Sequence, residues 1–178
     1  MAEAESLKDE GLRLFQDGLY AEALDHFQKA HSAFMAADDL TNAAEMLNNI
    51  GVLHREEGRL EEAADALTKA AQTFAEAEDL DRQGQALGNL ALVYSKQDDY
   101  DKAVETYKQA ADLLGQAGSD DKKGEVLMAL GLLQFNQGNR TGGLANYEAG
   151  VMSMKSPSAR QKFLQTLLKL RSRLPGGY

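Results

Sequence analysis

Cysteine is absent from this 178-residue chain, and with it go disulfides, thiolate metal sites and cysteine nucleophiles. Tryptophan is also missing, and the only prolines are Pro157 and Pro175, so residues 1–156 carry no residue that forces a helix to break. No apolar run comes near the roughly 18 residues that cross a bilayer. The opening stretch MAEAESLKDEG is acidic and lacks an apolar centre, unlike a signal peptide. These absences lead us to expect a cytoplasmic protein. Acid is missing from residues 151–178, which hold Lys155, Arg160, Lys162, Lys169, Arg171 and Arg173; residues 1–150 hold 28 acidic and 13 basic side chains. An acidic body with a small basic end is a poor match for a nucleic acid backbone. What is present suits a packed fold: 43% hydrophobic and 26% charged residues.

One phrase recurs. QDGLYAEALDHFQKA at 16–30 returns as EEGRLEEAADALTKA at 56–70, KQDDYDKAVETYKQA at 96–110 and NQGNRTGGLANYEAG at 136–150. A shift of 40 aligns Gly11, Gly51, Ala91 and Gly131, then Gly18, Gly58, Asp98 and Gly138. It also aligns Ala23, Ala63, Ala103 and Gly143; Phe27, Leu67, Tyr107 and Tyr147; and Ala30, Ala70, Ala110 and Gly150. An uninterrupted period of this length marks a repeat array, in which each unit buries its apolar face only by stacking on the next.

Each unit reads as two helices, because apolar residues recur at three- and four-residue spacing, as in Leu87, Leu90 and Tyr94. The Gly or Asp between the helices suits a left-handed C-terminal position. Asp39, Asp79 and Ser119 stand where the next helix begins and are expected N-caps. A small residue opposite an aromatic or Leu allows two backbones to approach closely. Gly142, Gly143 and Gly150 in the last unit should weaken its second helix, each interior Gly costing roughly 1 kcal/mol against Ala.

Gly at position 8, Ala at 20, an aromatic at 24 and Ala at 27 resemble the tetratricopeptide repeat (TPR) pattern, in four copies. The unit of 40 exceeds the usual one of about 34, and Met35, Ala75 and Gly115 replace the customary proline. In both respects the chain is similar to the long repeats of Pins-type polarity adaptors and kinesin light chain. The resemblance implies an all-α, right-handed superhelical solenoid of four helix-turn-helix repeats (about 4–38, 39–78, 79–118 and 119–155); the residues that follow read as a basic amphipathic capping helix at 156–174 and a tail at 175–178. It also implies that the first helices line a concave groove holding a peptide.

Carried over position by position, the groove residues are Lys8, Leu12 and Phe15 in repeat 1, Asn48, Asn49, Val52 and Arg55 in repeat 2, Gln85, Asn89, Leu92 and Lys96 in repeat 3, and Met128, Leu132 and Phe135 in repeat 4. The carboxylate clamp of co-chaperones is broken: Lys8 and Asn49 match it, but Leu12, Gln85 and Asn89 do not. Asn49 and Asn89 instead form two rungs of the asparagine ladder that long-repeat adaptors turn toward a peptide backbone; a solvated helix surface is the alternative. Leu12, Val52, Leu92 and Leu132 give either an apolar floor or core. With Glu5, Glu45, Glu56 and Glu125 beside them, a partner with apolar anchors and some basic residues fits.

No catalytic or metal constellation emerges. His26, His31 and His54 read as ordinary helix histidines, the acidic pairs as turn and cap residues, and GSDDKKG at 118–124 lacks phosphate-loop spacing. We therefore expect no enzyme, no cofactor and no metal, but an adaptor that docks a peptide or helix of another protein, without nucleic acid or membrane, as a monomer or weak homo-oligomer. An assembly or sequestering chaperone and a peptide-sensing regulatory module remain alternatives. At the C-terminus, Ser156 as N-cap and Pro157 as first residue should start a helix. Its apolar stripe is Phe163, Leu167, Leu170 and Leu174, widened by Leu164 and Leu168, with Lys162, Lys169 and Arg173 opposite and Arg171 intruding on the stripe. Capping repeat 4 is the expected role; a partner-binding helix or a membrane-surface helix are the other two.

Overall fold

Helices of 17 residues separated by three-residue turns make up most of the chain in the computed structural model, which describes residues 2–171. They are α1 (Ala2–Gln16), α2 (Tyr20–Ala36), α3 (Leu40–Glu56), α4 (Leu60–Glu76), α5 (Leu80–Lys96), α6 (Tyr100–Gln116), α7 (Asp120–Asn136), α8 (Arg140–Ser153) and α9 (Ala159–Arg171). Among the described residues there is no strand.

One turn, used throughout, sets this spacing. Gly18, Asp38, Gly58, Glu78, Asp98, Gly118 and Gly138 all have positive φ, between 55° and 88°. In each case the next amide reaches back five residues, as in Leu19 N–H to Leu14 O (2.9 Å) and Asp79 N–H to Phe74 O (2.9 Å), which closes a Schellman motif over the last carbonyls. The amide-donating residue is also the N-cap of the following helix. Asp39 accepts from Asn42 N–H at 3.1 Å and Asp79 from Arg82 N–H at 2.9 Å. Ser119 departs from expectation. Its hydroxyl donates to the Asp81 carboxylate instead, and its side chain makes no cap bond. The Asp81 carboxylate of the preceding repeat is a charged acceptor, and donating to it turns the hydroxyl away from the cap geometry.

Each first helix packs on its second through a small residue. A Cβ on Gly11 would stand 2.7 Å from the Phe27 ring, and one on Gly51 would stand 2.6 Å from Leu67. Phe27, Leu67 and Tyr107 are accordingly buried, at 1%, 0% and 4% exposure. Repeat 4 is built differently. A Cβ on Gly131 would stand 2.6 Å from the Gly143 carbonyl oxygen and one on Gly124 2.7 Å from that of Gly150, so α7 and α8 meet backbone to backbone. The glycines expected only to weaken this repeat are therefore also its packing surface. With no room between the backbones, Tyr147 is half-buried rather than inserted, and Leu132, Phe135 and Leu144 reach 54%, 47% and 51% exposure.

The first helices of neighbouring repeats also contact one another, α3 with α5 and α5 with α7, whereas the second helices pack chiefly on their neighbours in sequence. The first helices thus form the inner side of the stack.

Helix α9 begins two residues later than Pro157. Asp121 accepts the Lys155 and Ser156 amides at 2.7 and 2.9 Å, which holds those residues in a bend between α8 and α9. Ser158 and Gln161 then form a reciprocal capping box, at 2.8 and 3.4 Å. Gln165 donates to the Val151 and Met154 carbonyls at 2.6 and 3.1 Å, tying α9 to the end of α8. The expected stripe does not face inward: Phe163 is 66% and Leu167 45% exposed, while Leu164 and Leu168 are half-buried. Arg173 and Leu174, and the side chains of Leu170 and Arg171, lie outside the described residues.

Two glycine substitutions should separate propensity from packing. Gly115→Ala meets only the Lys123 side chain, at 3.1 Å, and should be neutral or stabilise by up to about 1 kcal/mol. Gly143→Ala meets the Gly131 carbonyl and the Phe135 backbone at 2.6 Å and should destabilise by about 1–3 kcal/mol. Urea denaturation of both variants checks this; equal effects would contradict the backbone contact. Glu78 occupies a left-handed position, so Glu78→Gly should raise the melting temperature, by an amount corresponding to about 0.5–1 kcal/mol.

Candidate functional site

Four clefts follow one another along the inner side. The first, about 70 Å³, is lined by Leu12, Phe15, Phe27, Asn49 and Val52. The second, about 440 Å³, brings Asn48, Asn49 and Gln85 together with Glu45, Asp79, Asp81, Arg82 and Lys122. The third, about 270 Å³, contains Gln85, Asn89 and Leu92 with Gly88, Tyr107, Lys122, Glu125, Val126 and Ala129. The fourth, about 220 Å³, is lined by Leu132, Phe135, Leu144 and Tyr147 over Gly131 and Gly143. Asn49 joins the first two clefts, and Gln85 and Lys122 join the second and third.

Leu12 and Leu92 are each 36% exposed and Leu132 is 54% exposed, with Val52 half-buried between them. Position 9 therefore reaches the surface in every repeat. Lys96 is exposed but lines none of the four clefts, and Met128 is half-buried with its sulfur 4.0 Å from Gln161 Nε2 of α9. Neither joins the other candidates. Phe15 packs against Tyr20 in a tilted pair with ring centroids 5.6 Å apart, and the Arg140 guanidinium stands 6.0 Å from the Phe135 ring centre.

Most of the polar side chains in the groove are occupied by one another. Asn89 Nδ2 donates to Asn48 Oδ1 at 3.1 Å, and Asn89 Oδ1 accepts from Arg55 at 3.4 Å. That amide therefore ties repeat 3 to repeat 2 rather than standing as a free rung. Glu5 pairs with Lys8 at 2.8 Å and Glu56 with Arg55 at 2.6 Å. Glu45 lies between Lys8 (3.9 Å) and Arg82 (3.7 Å). The expected acidic field is thus largely neutralised from within, with Glu125 left exposed at its far end. Burial alone would lower the Lys8 pKa, but the hydrogen bond to Glu5 and the charges of Glu45 and Glu5 outweigh it and raise it. Asp81 behaves in the same way with the opposite sign: burial would raise its pKa, but Lys122 and Ser119 hold it below the ordinary range. The Asp81–Lys122 pair, at 2.6 Å, crosses from repeat 3 to repeat 4.

Arg82, Asp81 and Lys122 were not among the candidates read from the sequence. A signal existed: Asn42, Arg82, Lys122 and Lys162 recur at the same register in successive first helices.

Residues 3–169 match the family described as SNAP, soluble NSF attachment protein. The chain belongs to the SNAP family. No curated protein matches it in sequence. Among solved structures, this SNAP-family chain is similar to BtubC (BKLC) from P. vanneervenii, with a TM-score of 0.75 at 15% identity over 98% of this chain and 67% of that one. It is also similar to MamA (0.63, 21%, covering 84% and 77%) and to the apo form of RapI (0.81, 14%, covering 94% and 47%). The chain thus spans about half the length of RapI. At these identities the likenesses establish the fold: an all-α, TPR-type helical-repeat solenoid.

Among the described residues, no group of three or more His, Asp or Glu side chains could hold a metal ion, and no helix is long and apolar enough to cross a membrane. The histidines of this SNAP-family chain sit in helix packing. His54 is 9% exposed, and its Nδ1, like that of His26, is buried without a hydrogen-bond partner. Burial pushes the pKa of His54 below its ordinary value of 6.5, Arg59 adding to the effect, and burial also lowers that of His31.

The unfolded chain therefore binds protons at these sites more readily than the folded one. Stability should be level above about pH 7 and fall as the pH drops below 6.5. His54→Leu should flatten part of that fall in urea titrations at pH 7.5 and 5.5, and an unchanged slope would remove His54 as its source.

Proposed function

We propose that this SNAP-family solenoid is a non-enzymatic adaptor whose groove holds a segment of another protein. The observation that carries the reading is the row Leu12, Val52, Leu92 and Leu132, which reaches the surface in register along the inner side of the array. Three leucines and a valine meeting water in register leave apolar surface that a ligand would cover favourably. The family's description as an attachment protein for NSF supports a protein partner. The length of the repeat, 40 residues, supports grouping the chain with long-repeat adaptors of the Pins and kinesin light chain kind.

Within the groove the roles divide. The leucine row and the apolar cleft of repeat 4 take apolar anchors of the partner. Asn49, whose amide lines two clefts, is placed to bond a partner's backbone with both donor and acceptor. Because Glu5, Glu45 and Glu56 are already paired with cations of this chain, a basic residue of the partner has Glu125 as its natural counterpart.

Selecting random displayed peptides on the full chain tests this. Enriched sequences should carry two or more bulky apolar residues with a basic one nearby. Leu132→Asp should weaken a selected peptide by about 2 kcal/mol. Asn49→Ala should weaken it by about 1 kcal/mol. Both variants should keep the parental helicity. Peptides that bind the two variants as tightly as the parent would place the ligand elsewhere and sink the reading.

A further inference from the structure

A leucine recurs every 40 residues at Leu7, Leu47, Leu87, Leu127 and Leu167. The first three pack against the buried core, Leu127 is half-buried, and Leu167 is 45% exposed. Helix α9 therefore stands in the register of a first helix: α3, α5 and α7 begin at Leu40, Leu80 and Asp120, and α9 at Ala159. Each earlier first helix is covered by a second one, α1 by α2, α3 by α4, α5 by α6 and α7 by α8. No helix follows α9 among the described residues, and its packing is chiefly against α8.

The uncovered face has a definite chemistry. At the register where Gly84 meets Leu114 and Gly124 meets the Gly150 carbonyl, α9 has Leu164. The hole of the knob-and-hole contact must then come from the covering helix, as a stripe of alanine or glycine. Phe163, 66% exposed, stands beside Leu167, and the exposed Arg160 and Lys162 edge the helix with no acid anywhere in residues 151–171. An anionic edge on the covering helix complements that rim.

We propose that the Phe163–Leu167 face of α9 docks an acidic amphipathic helix of a partner protein, which would complete a fifth helix pair. This surface is separate from the groove. A membrane is the poorer occupant, because residues 1–150 carry 28 acids against 13 bases and would be repelled by anionic lipid, and because α9 offers a single aromatic and no tryptophan. A second copy is also poorer, because the second helices of this chain are already packed in their own repeats.

A peptide of residues 59–78 serves as probe, since it contains α4, which presents Ala63, Ala66 and Ala70 together with Glu61, Glu62 and Asp65. Fluorescence anisotropy with the full chain should show salt-sensitive binding. Phe163→Ser with Leu167→Ser should weaken it about tenfold, as should Arg160→Glu with Lys162→Glu, whereas Leu92→Asp in the groove should leave it unchanged. The charge-reversal variant leaves the apolar packing of α9 intact and so covers the case in which the serine variant loses the helix. A peptide carrying Glu61→Lys, Glu62→Lys and Asp65→Lys should bind more weakly. Absence of binding, or binding indifferent to both α9 variants, overturns the proposal. Binding lost in Leu92→Asp assigns the peptide to the groove instead. Sedimentation with phosphatidylserine vesicles that needs Arg160 and Lys162, or a dimer in light scattering that needs Phe163 and Leu167, would give the face to a membrane or a second copy and equally overturn it.

Discussion

Wherever a first helix of this solenoid meets its second, a residue without a side chain, or with only a methyl group, stands at the crossing, and the closeness it permits sets the rest of the architecture. Gly11 admits the Phe27 ring, Gly51 admits Leu67, and Ala91 packs beside the buried Tyr107. Each knob then fills its pair's core to near-zero exposure, and the next pair can stack on it without a gap. Repeat 4 carries the same rule further. With glycine on both sides, α7 and α8 touch through their backbones, and the aromatic that would have been the knob is displaced toward the surface. The exposed apolar cleft around Leu132 and Phe135 is a consequence of that substitution.

The turns make the array regular. A left-handed residue ends each helix through α7, and the following residue both closes the Schellman motif and opens the next helix. This double use leaves no slack, so the first helices arrive in phase and face one way. Their inner surface is polar where repeats 2 and 3 meet and apolar toward its ends. The polar part is mostly self-satisfied: Asn48 with Asn89, Arg55 with Asn89 and Glu56, Lys8 and Arg82 with Glu45, Lys122 with Asp81. Apart from Arg55 with Glu56, such pairs join one repeat to the next. They also reduce what charge can contribute to a ligand, since a paired carboxylate must lose one partner to gain another. For the proposed function, apolar contact, the Asn49 amide and the exposed Glu125 are what the groove has left to offer.

Helix α9 shows how a helix can obey the repeat and still end it. Its register matches the earlier first helices, but Leu164 stands where Ala4, Ala44, Gly84 and Gly124 stand, and it is held by Gln165 on the α8 carbonyls rather than by a helix laid across it.

Period, helix pairing, the left-handed residue within each repeat and the N-caps Asp39 and Asp79 were legible in the sequence because each depends on residues within a few positions of one another: a glycine allows positive φ locally, and an Asp caps the helix that starts beside it. The inner side was legible as a set of positions, and Leu12, Val52, Leu92 and Leu132 line its clefts because register alone decides which way a helical residue points. What each polar residue does there was decided by tertiary structure. Asn49 and Asn89 are the same residue at the same register, yet Asn89 is engaged because Asn48 and Arg55 of the adjacent repeat reach it, and no local pattern encodes that meeting. The Ser119 hydroxyl turned to Asp81, Asp121 held back the start of α9, and the glycines of α8 became a contact surface for the same reason. Local sequence determines conformation and facing, while hydrogen-bond partners and close contacts depend on distances that exist only once the repeats are stacked.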